Sequence, residues 1–218
     1  MAIPVKYRTS GEAIVSYDYT DLTTGLGYQI FYAGLANGRI LSPNVFYSDE
    51  PVEEATDSVG DTTFYERSSG AFTTSTFNSP RTMKGDAFVS VPVGVRNSSG
   101  APRDMHQYIN VLFRKISGGV TTNIASQASV TKDYNAVAES TPTGRMITTK
   151  VTIPQTEFKI GDQLIIDLEQ WGKVDGGQPV KFGFGHSPKN RADYSTDPTF
   201  ASTDPTVLEC HIPFKIDN

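Results

Sequence analysis

An all-β fold is predicted: an antiparallel β-sandwich of jelly-roll type, about eight to ten strands, with little or no helix. Three observations predict it. Apolar residues recur with a period of two, turn clusters punctuate the chain at short intervals, and no amphipathic helical stretch connects the strands. In "FVSVPVGV", Val89, Val91, Val93 and Val95 share one face. Ile147, Val151 and Ile153 do so in "RMITTKVTI", and Leu164, Ile166 and Leu168 in "DQLIIDLE". Near the C-terminus, Leu208, Cys210, Ile212, Phe214 and Ile216 alternate with Val207, Glu209, His211, Pro213 and Lys215. Strict alternation places one face on a core and the other toward solvent or a neighbour.

The turn clusters are "ANGR", "SSG", "NSSGAP", "SGG", "TPTG", "KIGD" and "VDGGQP". A parallel sheet is disfavoured, because its crossovers need a dozen or more residues, usually helical. The best helical candidate is the charged "DEPVEEATDSV" (49–59), which has room for one turn. Pro92 and Pro213 interrupt strands and belong at edges or bulges, since proline cannot donate to a ladder. An immunoglobulin-like topology stays open, although the disulfide and core tryptophan pairing of that family are missing. Segment 187–206 is the longest polar loop and repeats "STDPT" at 195–199 and 202–206, too little for a repeat architecture. A loop of this length suits a binding surface or an intersubunit arm.

The chain has 218 residues, room for a substantial core, and a net charge of −5. No basic run offsets that acidity, so nucleic acid is not expected as a partner. No 18-residue apolar stretch predicts a membrane span. Cys210 is the only cysteine, which excludes an intrachain disulfide. The first residues lack an apolar signal region, so synthesis in a reducing cytoplasm is expected. The sequon at Asn97 is then expected to carry no glycan.

Catalytic motifs are sparse. "TGLGYQIFYAG" contains Gly25 and Gly27 but leads into an aromatic, β-branched run, so it launches a strand and does not cradle a phosphate. No G-K-S/T loop and no G-x-S-x-G elbow occur. Of His106, His186 and His211, the last follows Cys210 directly; on a strand the two point to opposite faces and cannot share a metal. Cys210 reads as a small core residue. Asp57 and Asp61 offer hard oxygen ligands, without the spacing of a calcium loop. Asp167 and Glu169 in "IIDLEQW" share a strand face, roughly 6–7 Å apart by strand rise. That pair resembles part of an E-x-D-x-x-E strand motif of β-sandwich glycosidases, but Ile165 stands where the first glutamate would be. A solvated outer face is the plainer reading. Tyr7, Tyr17, Tyr19, Tyr47, Tyr65 and Trp171 are the aromatics available for stacking on a sugar.

Taken in order, "YDYTDLTTGLGYQIFYAG", "NVFYSD", "PRTMKGDAFVSVPVGV", "EFKIGDQLIIDLEQW" and "FGFGHSPKNR…VLECHIPFKIDN" look like jelly-roll virion proteins of tailed bacteriophages. The resemblance runs from about residue 14 onward and carries no active site. It implies a non-enzymatic capsid or decoration protein in the virion, without cofactor or metal, whose partners are itself, as a homotrimer or similar ring, and other capsid proteins. Residues 1–13 are expected to form an arm and residues 14–218 one jelly-roll domain. Tyr28, Ile30, Tyr32 and Phe200 are the expected interface residues. The alternatives are a carbohydrate- or receptor-binding sandwich of a tail or fibre, and a glycosidase centred on Asp167 and Glu169.

Overall fold

The computed structural model describes residues 26–50, 52–57, 62–98, 100–176, 179–191 and 199–215. The expected arm at 1–13 and Asp61 lie outside them. The described residues form an all-β sandwich without helix. The strands are β1 (Leu26–Leu35), β2 (Arg39–Ser42), β3 (Val52–Asp57), β4 (Tyr65–Thr74), β5 (Arg81–Asn97) and β6 (Arg103–Ser117). β7 (Val120–Ala128), β8 (Lys132–Val137), β9 (Pro142–Phe158), β10 (Gln163–Val174), β11 (Val180–Gly185) and β12 (Glu209–Lys215) follow. They hydrogen-bond in the order β3-β11-β5-β12-β1-β2-β4-β10-β6-β7, with β8 on β6 and β9 on β5. All pairings are antiparallel except β2 with β4. The sheet folds over on itself, so the β5 half faces the β10 half.

The period-two rows form the core between the halves. Val89, Val91 and Val93 of β5 meet Leu164, Ile166 and Leu168 of β10, together with Ile109, Val111 and Phe113 of β6. Cys210 and Ile212 of β12 join the same cluster. A smaller cluster of Val95, Met105, Tyr134, Val174, Val180 and Phe182 fills one end. Full burial of one such aliphatic side chain stabilises by about 1.5–3 kcal/mol.

Both prolines sit where the ladders break. Pro92 lies between the stretch of β5 that pairs with β12 (up to Ser90) and the stretch that pairs with β11 (from Val93). Pro213 falls in the register shift of the β12–β5 ladder. The expected helical turn at 49–59 is instead strand β3, paired with β11 from Val52↔Gly185 to Asp57↔Val180. Its charges belong to an edge strand: Glu53 pairs with Arg39 at 2.7 Å, and Glu54 accepts hydrogen bonds from Thr199. Gly118 and Gly119, both at positive φ, close the two-residue β6–β7 hairpin in the geometry that such a turn requires.

Candidate functional site

The outer face of β10 carries the most organised surface chemistry. Even-numbered residues from Leu164 to Val174 point inward and are buried, which sends Asp167, Glu169, Trp171 and Lys173 outward. β6 alternates in the same way, with Met105, Gln107, Ile109, Val111 and Phe113 inside and His106, Tyr108, Asn110 and Arg114 outside. Register then decides which residues meet. Trp171 stands opposite Tyr108, and Glu169 opposite Asn110.

The result is a continuous row. The Trp171 and Tyr108 rings lie stacked, 4° from parallel with centroids 6.0 Å apart. Phe64 meets Tyr108 edge-on at 5.1 Å, and Lys173 lies over Phe64. The Asn110 amide donates to Glu169 Oε2 at 2.9 Å, and the Trp171 indole N–H points at the same oxygen from 3.4 Å. Next along the strand, Asp167 pairs with Arg114 at 2.5 Å.

The electrostatics of the row are unbalanced. Burial raises the Asp167 pKa above the ordinary carboxylate value, and repulsion from Glu169 and Glu66 adds to it, while Arg114 pulls it down. The Asp167 side chain is only 13% exposed, although it lies on the outer face. Burial and the nearby Glu169 likewise raise the Tyr108 hydroxyl pKa. Asp167 and Glu169 thus share a half-covered surface beside a wall of aromatic rings, with the exposed Glu66 next to them.

The expected pairing of Asp167 and Glu169 on one face is therefore present, and Trp171 stands with them. Tyr108, Asn110 and Arg114 were not singled out from sequence. The partial alternation in "RDMHQYINVLFRKIS" could have placed them on an outer face, but only the β6–β10 register brings them to Asp167.

The remaining candidates are dispersed. His106 is held between Asp133 at 2.6 Å and Asp175 at 3.3 Å by its two ring nitrogens, an arrangement that leaves neither for a metal. His211 lies 3.5 Å from Glu209. Burial pushes the Cys210 thiol pKa far up. Among the described residues no group of three His, Cys, Asp or Glu could hold a metal ion. Asn97 is wholly buried and donates to the carbonyls of Ala101 and Val137. Tyr28 donates to the Asp86 carbonyl and lies 6.3 Å from the Phe88 ring. Ile30 and Tyr32 are half-buried on the outward face of β1. Phe200 is 1% exposed, inside the fold beside Gly94.

No protein-family model and no curated protein sequence matches the chain. The fold is similar to that of solved hydrolases. An α-amino acid ester hydrolase matches with a TM-score of 0.53 at 10% identity, over 86% of this chain and 36% of the hydrolase. An aminopeptidase from a marine sediment Thaumarchaeota archaeon matches with a TM-score of 0.51 at 8% identity, over 87% and 37%. A CocE/NonD family hydrolase of Staphylococcus aureus reaches 0.49 at 12% identity, over 88% and 37%. The chain thus spans just over a third of the length of the hydrolases it matches. At these identities the likeness concerns the fold.

These matches correct the expectation of a bacteriophage virion protein. The two structures named above with TM-scores over 0.5 are those of enzymes. A structure of infectious bursal disease virus reaches only 0.24, a level that carries no argument. The capsid and decoration roles and the virion location fall with that resemblance. The non-enzymatic reading is corrected as well, because this sandwich is one that hydrolases carry. The phage resemblance misled because it rested on the order of strand strings, and a sandwich of this type imposes such an order whatever it is used for.

Proposed function

We propose that the chain is the substrate-holding β-sandwich unit of a hydrolase acting on amino-acid esters or amides. The observation that carries this reading is the outer row of β10 and β6. Asp167 and Glu169 stand there half-covered beside the Trp171–Tyr108 stack, on a sandwich of the kind carried by an amino acid ester hydrolase and an aminopeptidase. Both neighbours are named for amino-acid chemistry, and an α-ammonium group is the chemical handle such substrates share.

The row suits that handle. Burial is the main reason the Asp167 pKa is raised, and an ammonium ion seated at Asp167 and Glu169 would offset both that cost and the smaller repulsion from Glu169. Where it lies over the face of a Trp171 or Tyr108 ring, the ammonium also gains cation–π attraction of about 0.5–2 kcal/mol, more as water is excluded. The Asn110 amide and the Trp171 indole hold the Glu169 carboxylate in place before a ligand arrives. In this reading the row orients the amine end, and the acyl carbon projects away toward the groups that cleave it.

Isothermal titration with L-phenylalanine methyl ester tests the proposal. N-acetyl-L-phenylalanine methyl ester, which lacks the ammonium, serves as the control. Binding of the free amine at least tenfold tighter than the acetylated ester is expected, and Asp167→Asn and Trp171→Ala should each abolish that preference. Equal affinity for the two esters, or none for either, overturns the reading.

A further inference from the structure

A charged side chain on a core-facing position is costly unless something balances its charge. Arg81, the first residue of β5, holds such a position. Directly opposed residues of an antiparallel ladder share a face. Arg81 stands opposite the buried Phe158 of β9, and Gln29 of β1 stands opposite the buried Ile212 of β12. Both half-buried side chains therefore belong to the face that carries the core, at its rim. Arg81 Nη1 donates to Gln29 Oε1 at 2.8 Å. The guanidinium lies over the Phe77 and Phe214 rings, 5.6 and 5.5 Å from their centroids. No carboxylate among the described residues pairs with it.

Arg81 and Gln29 line a half-open recess of about 150 Å³ between the end of β4 and the start of β5. Phe31, Phe77 and Pro43 form its apolar part, and Thr74 with loop 75–79 supplies hydroxyls and an amide. None of its lining residues is acidic, in a chain whose net charge is −5. Its wall is fixed before a ligand arrives. The Phe77 N–H donates to the Asp162 carbonyl and the Gly161 N–H to the Phe77 carbonyl, both at 2.9 Å. The Phe77 ring meets Phe158 edge-on at 5.1 Å and Phe214 at 6.2 Å. A second recess, of about 140 Å³, also touches Arg81, but an anion entering it meets Glu157.

We propose that the recess beside Gln29 and Arg81 binds the anion of a short-chain carboxylic acid. A guanidinium presents a planar fork that holds a carboxylate through two parallel N–H···O bonds. One positive charge matches one negative charge, whereas a phosphate dianion would bring a second that no lining residue balances. The Phe31 and Phe77 rings receive the apolar body of the acid. A cavity of about 150 Å³ holds a benzene ring, which limits that body to about six carbons. The proposal does not depend on the hydrolase reading, because the amine-binding row lies on the outer face of β10 and β6 and this recess opens at the rim of the core.

Titration of the full chain with 3-methylbutanoate and with its neutral isostere 3-methylbutanamide, followed by the NMR shifts of backbone amides, tests it. The acid should move the signals of residues 29, 75–79 and 81 with a Kd of about 1 mM or tighter. The amide should bind about tenfold more weakly, because it forfeits the charge-assisted bonds. Arg81→Gln should lower the affinity for the acid to that for the amide. Equal affinity of the wild type for the two compounds, signals that move only elsewhere, or no response overturns the proposal. So does a folded Arg81→Gln protein that binds the acid as tightly as the wild type. Inorganic phosphate that moves the same signals as strongly as the acid overturns the assignment to carboxylates. If circular dichroism shows that Arg81→Gln does not fold, the acid and amide titrations of the wild type decide by themselves.

Discussion

His186 shows how much one buried side chain can govern. It is 1% exposed, with ring centroids 5.6 Å from Phe72 and 5.9 Å from Phe184. Neither ring nitrogen meets a hydrogen-bond partner beyond its own residue among the described residues. Burial pushes its pKa down to about 4, against a weaker upward pull from Glu53. The folded protein therefore holds His186 neutral while the unfolded chain protonates near the ordinary value of about 6.5. Its contribution is complete above that pH and is lost as the pH falls through about 4, a difference of about 3 kcal/mol at 1.36 kcal/mol per pKa unit. Thermal melts at pH 7.5 and pH 4.5 should show a large drop for the wild type and a smaller one for His186→Leu. An equal drop in both would show that other groups account for it. The sequence presented His186 as one of three histidines and offered no sign of this. Its isolation is created by Phe72, 114 positions away in the chain, and by the strand that brings Phe184 beside it.

Among elements, β10 was read most fully from sequence, because burial on one face writes a period of two directly into the residues. The same holds for β5 and β12. β3 was misread because the expectation of a helical turn rested on its charges, and an edge strand needs charges for another reason. The pairing of Asp167 with Arg114 and of Trp171 with Tyr108 was not legible. Register between strands some 60 residues apart leaves no local mark in the sequence. A second feature of β10 was hidden in the same way. Gln170 and Gln107 are both fully buried, and alternation alone would assign such positions to apolar residues. The Gln170 amide donates to Gln107 Oε1 at 2.7 Å and to the Gly183 carbonyl at 2.9 Å, and Gln107 donates to the Tyr134 hydroxyl at 2.6 Å. Ser68 donates to Gln170 Oε1 at 2.8 Å. This chain ties β4, β10, β6, β8 and β11 together, and each member satisfies another. Gln107→Leu removes the central link and leaves polar partners buried without it, which should cost about 1–3 kcal/mol. Urea denaturation measures the cost, and an unchanged midpoint would show that the network is dispensable.

For the whole molecule, the pairing order sets the kinetics. β1 ends at Leu35 and bonds β12, which begins at Glu209; β5 bonds β12 on the opposite side. Such non-local ladders require long loops to close before any contact rewards them. Refolding from urea should therefore take milliseconds to seconds, with a rate set by topology. A refolding phase complete within microseconds would contradict that account. The fold class itself was legible from composition and alternation together, since strands such as β9 and β10 repeat the same two-residue logic.

The central seat of β12, the last of the described strands, bears on synthesis. A ribosome delivers β1 and β5 long before the strand that belongs between them. Until Glu209–Lys215 clears the exit tunnel, both neighbours hold an open seam lined by Phe31, Val89 and Val91. The nascent chain waits in that state for more than a hundred codons after β5 appears. It needs either a holding chaperone or a provisional pairing of its own during that wait. Slow codons ahead of β12 would lengthen the exposure, so translation speed through that stretch becomes a determinant of yield.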